Sequence, residues 1–156
     1  MLVFIWIFES QLQELPVWLK FAGRLHPALL HFPIAILLLV PIIEVLRNKL
    51  KDADLIAELL LSITAFAASL TALCGFFLFY SGDYDNSDDL RWHKITGIAI
   101  ALVAGCLHWL RRQSKLTYNV VLPFGCVLLI VAGHLGSAVT HGRNFLTEPL
   151  QAGAQK

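Results

Sequence analysis

The chain has 156 residues, of which 57% are hydrophobic and only 15% charged, with a net charge of +1 and a mean hydropathy of +0.68. Soluble domains are nearer half apolar and a quarter charged, so this balance argues against a soluble enzyme, and the missing basic surplus argues against a nucleic-acid binder. Cys74, Cys106 and Cys126 lie far apart inside apolar runs. Without CxxC or CxxCH spacing they exclude a zinc ribbon and a covalently attached c-type haem, and they provide no disulfide framework. The class that fits is a small integral membrane protein.

From the N-terminus, Leu2–Phe8 is apolar but too short to span, and it lacks the basic flank and small-residue cleavage site of a secretory signal. Leu12, Leu15, Trp18, Leu19 and Phe21 recur at helix-like intervals interrupted by Pro16. Residues 1–25 therefore read as an interfacial segment, with Trp6 and Trp18 at headgroup depth.

Apolar runs of near-spanning length follow at Leu29–Leu46, Ile56–Tyr80, Ile95–Leu110 and Tyr118–Thr140. Only helices satisfy every backbone N–H and C=O of such runs in lipid without closing a barrel. The connections Arg47–Leu55, Ser81–Lys94 and Arg111–Thr117 are short, which makes successive helices antiparallel neighbours. The expected fold is all-α, an integral membrane up-down four-helix bundle over residues 26–142, with residues 143–156 as a tail. Internal repeats and low-complexity tracts are absent from the sequence. Pro27 suits the first position of helix one, and Pro33 and Pro41 are expected to kink that helix.

Arg47, Lys49, Lys51, Arg111, Arg112 and Lys115 crowd two short connections, whereas the connection between helices two and three carries Asp83, Asp85, Asp88 and Asp89. By the positive-inside rule the compact basic loops face the cytoplasm and both termini lie outside. The acidic stretch begins like a calcium loop, but it has no central glycine, and Lys94 stands where a bidentate Glu is required. It reads instead as a solvated patch or a docking surface for a basic soluble partner.

Six histidines carry the chemistry: His26, His31, His93, His108, His134 and His141. At about 1.5 Å rise per residue, His31 and His134 fall roughly 7–9 Å from the midplane, and His93, His141 and His26 roughly 13–18 Å, all toward the termini. Ionisable residues at membrane depth are costly and ordinarily face an interior site. Neutral imidazoles on facing helices at one depth are suited to axial ligation of haem iron. The depth condition favours His31 with His134 as axial ligands of one b-type haem, with His93 as substitute. His93 heads a smooth strip, Gly97, Ala101, Ala104 and Gly105, along which a flat macrocycle could lie. Taken singly, interfacial histidines such as His26, His93 and His141 are ordinary hydrated caps. His108 has no histidine partner at its level, which argues against a second haem. Arg24 and Arg143 are candidates for the haem propionates or, equally, interfacial anchors. No nucleophile–base pair, phosphate loop or paired catalytic carboxylates occur.

The stretch Gly23-Arg-Leu-His-Pro-Ala-Leu-Leu-His-Phe-Pro-Ile34 resembles the opening motif of a bacterial four-helix membrane domain, the domain of unknown function 2231. Gly133-His-Leu-Gly-Ser-Ala-Val-Thr-His-Gly142 and Asn144-Phe-Leu-Thr-Glu-Pro149 resemble its closing motif, and Arg91-Trp-His-Lys94 its third helix. Ser137 departs from the pattern, which often has a second Gly there. The closing motif is most similar to a subgroup whose members continue into a c-type cytochrome domain, and the family is distantly similar to the haem-b four-helix membrane cytochromes. That resemblance implies an extracytoplasmic C-terminus and a c-type cytochrome or another redox subunit as partner.

Together these readings suggest an electron-transfer subunit rather than a stand-alone enzyme, one that links a membrane quinol pool to an extracytoplasmic c-type cytochrome. His26 and His141 would then stand near the propionates or a quinone headgroup. The competing expectation is a cofactor-free anchor or assembly subunit of a respiratory or photosynthetic complex. A third is a site for copper or another transition metal, built from the same imidazoles.

Overall fold

The computed structural model describes residues 15–84, 87–145 and 147–148. Leu2–Phe8, Trp6, Leu12, Asp85 and Pro149 lie outside the described residues. Among the described residues six helices follow one another: α1 (Val17–Arg24), α2 (His26–Leu29), α3 (His31–Val45), α4 (Ala53–Tyr80), α5 (Asp88–Gln113) and α6 (Lys115–His141). No strand is present among the described residues. The first three run together as one apolar unit, Val17–Val45, so the described residues form four spans of 29, 28, 26 and 27 residues. At 1.5 Å per residue these are roughly 39–44 Å long, enough to cross the ~30 Å hydrocarbon core with both ends in the headgroups. The expected all-α membrane bundle is the fold observed.

The helices outrun the apolar stretches because their polar ends stay helical. Ser87 caps α5 by accepting a hydrogen bond from the Leu90 N–H at 3.2 Å, and Ser114 caps α6 by accepting from the Thr117 N–H at 3.4 Å. Ser114 also closes α5, so the connection expected over Arg111–Thr117 shrinks to one residue. At the far end, Gly142 takes φ +87°, a value L side chains avoid, and α6 stops there.

Two of the three prolines singled out in the sequence mark breaks in the first span. The helix breaks at Leu25 and Leu30, each a few residues before a proline, Pro27 and Pro33. Both rings lack an N–H, which removes the donors that would bond the Gly23 and Leu29 carbonyls. Pro41, by contrast, lies inside the unbroken α3.

Instead of lying apart, α1 continues the first span and packs along α4, leaving Trp18 and Phe21 exposed. Gly23 makes this possible. A Cβ there would sit 2.6 Å from the Leu78 nitrogen and 2.9 Å from the Phe77 carbonyl carbon, and backbone cannot swing aside. Gly23→Ala is therefore expected to part α1 from α4 at an overpacking cost of about 1–3 kcal/mol. The check is a lower apparent melting temperature in detergent than for the wild-type chain.

Sequential spans pack side by side, while the first and last meet more sparsely. The end remote from the termini is filled by Leu37, Val40, Leu61, Leu107, Tyr118 and Leu122. Ala68, Ala101 and Ala104 let α4 and α5 approach closely nearer the middle.

At that remote end a polar clamp ties the spans together. Glu44 Oε1 accepts from Arg111 Nε and from the Tyr118 hydroxyl, both at 3.0 Å. Arg111 also donates to Asp54 at 2.7 Å, Arg47 reaches the same carboxylate at 2.6 Å, and Arg112 pairs with Glu58. Arginines that read in the sequence as topology signals thus also cross-link α3, α4 and α5, and Tyr118 adds α6 through Glu44.

Candidate cofactor site

At the opposite end, which carries most of the histidines, the four spans line a half-open cavity of about 530 Å³. Its walls are largely apolar and come from every span, for example Leu30, Ile34, Ala68, Phe76, Ile100 and Leu129. Two half-buried imidazoles meet there. His26, at the start of α2, and His93, near the start of α5, have ring centroids 6.0 Å apart and planes inclined at 75°.

Each ring is pinned in the same way. His26 Nδ1 lies 2.9 Å from the Thr71 carbonyl oxygen on α4, and His93 Nδ1 lies 3.0 Å from the Ala132 carbonyl oxygen on α6. A carbonyl only accepts, so both Nδ1 atoms carry the proton and both Nε2 atoms keep their lone pairs in the neutral ring. Among the described residues neither Nε2 has a hydrogen-bond partner. One turn beyond each carbonyl stands a glycine. A Cβ on Gly75 would lie 2.8 Å from His26 Cε1 and Nδ1, and one on Gly136 would lie 2.9 Å from His93 Cε1. The same device, an imidazole seated on a carbonyl-plus-glycine turn of the following helix, therefore occurs twice, although the sequence shows no repeat.

Thr71 is buried on the cavity wall, and its hydroxyl has no hydrogen-bond partner among the described residues. Among the lining residues there is no Asp or Glu, and Lys94 supplies the fixed positive charge. No group of three or more His, Cys, Asp or Glu side chains converges among the described residues. Two imidazoles with two lone pairs suit a metal whose remaining ligands arrive with it, as in a macrocycle.

The other nominated residues are placed as follows. His31 lines the cavity but is exposed, and His134 is exposed and outside the lining. His141 lies at the mouth and stacks on Phe145 with centroids 4.5 Å apart. Arg24 is exposed and 3.5 Å from Asp83. Arg143 grips Asp89 through two hydrogen bonds of 2.8 Å, and that carboxylate pushes the guanidinium pKa further up, so it stays charged. Of the strip below His93, Gly97 lines the cavity, Ala101 and Ala104 are buried in helix packing, and Gly105 is exposed. His108 shares a 3.2 Å hydrogen bond with the Ser62 hydroxyl at the remote end.

Sequence reasoning matched depths but missed which faces meet, and it overlooked Thr71, Gly75 and Lys94. His134 is set aside by rotation about the α6 axis. The buried face of α6, Tyr118, Leu122, Gly125, Leu129 and Ala132, extends to Gly136. At about 100° per residue, His134 stands roughly 200° from Ala132 and as far from Gly136, so it points off that face.

Residues 23–147 match the family model DUF2231, described as a predicted membrane protein. The chain belongs to the DUF2231 family. Comparison with curated proteins and with solved structures found no match. The family match spans the site from Gly23 through His26, His93 and Gly136 to the mouth at His141.

Proposed function

We propose that this DUF2231 protein is a membrane-embedded b-type haem subunit with His26 and His93 as axial ligands, passing electrons between a quinol pool and an extracytoplasmic c-type cytochrome. The observation that carries the reading is the His26–His93 pair. The observed separation is 6.0 Å. Metal-ligating histidines almost always donate their other N–H to a carbonyl or carboxylate, which fixes the tautomer and raises ligand basicity. Here both rings already do so, to Thr71 and Ala132.

The cavity also suits such an occupant. Its volume falls within the roughly 300–1,000 Å³ usual for ligand sites, and its walls are apolar with few polar groups. When bound, haem supplies a one-electron couple at its iron. The protein's part is to hold the imidazoles, keep water from the apolar walls and set the site near one membrane face. Asp83 and Asp88, exposed at that end, favour approach by a basic soluble partner. The compact basic loops at the remote end favour an extracytoplasmic position for the histidine end in the inner membrane.

The test is the absorption spectrum of the full chain purified in mild detergent from haem-replete cells, oxidised and then dithionite-reduced, with pyridine haemochrome analysis. A sharp reduced b-type band at near one haem per chain is expected. Colourless protein overturns the reading and leaves the cofactor-free anchor ahead. Metal analysis of the same sample identifies a copper site.

A further inference from the structure

We propose that Gly75 and Gly136 are positioning residues that hold the His26 and His93 ring planes close to perpendicular and thereby set the electronic character of the iron they would share, an inference that rests on the haem reading above. The two planes are inclined at 75°. Each ring takes its orientation from a different helix, His26 from α4 through the Thr71 carbonyl and His93 from α6 through the Ala132 carbonyl. A hydrogen bond at Nδ1 fixes one point of a ring and leaves it free to swing about that contact. The glycines supply the second point. At Gly75 an added Cβ would lie 2.8 Å from both Nδ1 and Cε1 of His26 and 3.5 Å from Cγ, so the ring occupies space that a side chain would fill. At Gly136 it would lie 2.9 Å from Cε1 of His93, 3.3 Å from Nδ1 and 3.5 Å from Nε2, the atom left to bind metal.

These contacts differ in kind from that of Gly23. There the obstacle is backbone, whereas here it is the end of a side chain whose outer torsion is broad. An alanine methyl at either position therefore turns the ring while the helices stay packed. The angle matters because the filled π orbitals of an axial imidazole repel the iron dπ orbital perpendicular to the ring plane. Parallel rings raise one dπ orbital of the pair, and crossed rings raise both nearly equally. Near-equal orbitals give low-spin ferric iron a strongly anisotropic magnetic moment. They also leave the ferric hole no favoured orbital, which makes reduction easier than with parallel rings. Contacts behind a ligand are among the levers by which a protein tunes haem iron, and in this cavity they act through ring orientation.

The full chain, purified in mild detergent with haem bound, is oxidised and examined by low-temperature electron paramagnetic resonance. Wild type is expected to give a low-spin ferric signal whose largest g value lies above that of a bis-imidazole complex with parallel rings. Gly75→Ala and Gly136→Ala should keep the wild-type haem content while that g value falls toward the parallel-ring range. Gly105→Ala should leave the signal in place, because an added Cβ there meets nothing within 4 Å and the residue lies outside the cavity lining. A wild-type signal of the parallel-ring kind overturns the inference without any variant. So do alanine variants that retain haem with an unchanged signal. Wild type devoid of haem brings down the haem reading as well, whereas haem with a parallel-ring signal removes only the role of the two glycines.

Discussion

His26→Ala and His93→Ala are each expected to remove the reduced b-type band from protein purified from haem-replete cells, whereas His31→Ala and His134→Ala retain it. The first two substitutions delete one of the facing imidazoles whose centroids lie 6.0 Å apart. His31 is exposed, and His134 stands outside the cavity lining. Folding should survive in all four variants. The carbonyls of Thr71 and Ala132 lie within helices, where ladder donors still serve them, so losing the imidazole orphans no buried acceptor. Circular dichroism and gel filtration verify this. Added imidazole should partly restore the band in His93→Ala, because the space vacated opens into the cavity. The opposite pattern, with the band lost in His31→Ala and His134→Ala but kept in the other two, would falsify the assignment and return the ligands to the pair favoured by depth alone.

The second large effect is expected at the remote end. Arg111→Ala removes the guanidinium that bonds Glu44 at 3.0 Å and Asp54 at 2.7 Å. The Arg111 side chain is 13% exposed and that of Glu44 20%, so the pair is mostly withdrawn from water. Breaking a buried pair from one side costs roughly 3–5 kcal/mol, and the residual exposure places this case toward the lower end. The Tyr118 hydroxyl, on a buried ring, donates to the same Glu44 oxygen. Tyr118→Phe should thus cost roughly 1.5–3 kcal/mol, the worth of a hydrogen bond to a charged group. The Arg47–Asp54 contact adds little, since Asp54 is 63% exposed. Melting temperatures in detergent, with exposed Lys115→Ala as reference, decide the point. Shifts no larger than that reference would show that the clamp contributes nothing. Haem content should be unchanged in these variants, because the clamp and the histidine cavity occupy opposite ends of the bundle.

Several features were legible before any fold was known. Hydrophobic run lengths established an all-α membrane bundle with four spans, because in lipid the backbone must bond within each span. The axial position of each histidine followed from a fixed rise of 1.5 Å per residue. His26 and His93 emerged in one depth class, and they do meet.

Rotation about each helix axis was left to the tertiary structure. A helix facing lipid is apolar on every side, so hydrophobic periodicity does not mark the inward face as it does in water. His31 and His134 satisfied depth and were ranked first, yet helix rotation leaves both exposed. The seats of the paired rings are backbone carbonyls, Thr71 and Ala132, and a carbonyl has no signature because every residue has one. Gly75 and Gly136 mark close approach only once the opposing imidazole is known. The clamp of Glu44, Arg111 and Tyr118 joins residues up to 74 positions apart, a pairing that chain distance hides and packing creates. Length and depth are one-dimensional quantities and can be counted along the chain. Which side chains face one another depends on how four apolar cylinders turn against each other, and small contacts such as Gly23 on Leu78 settle that.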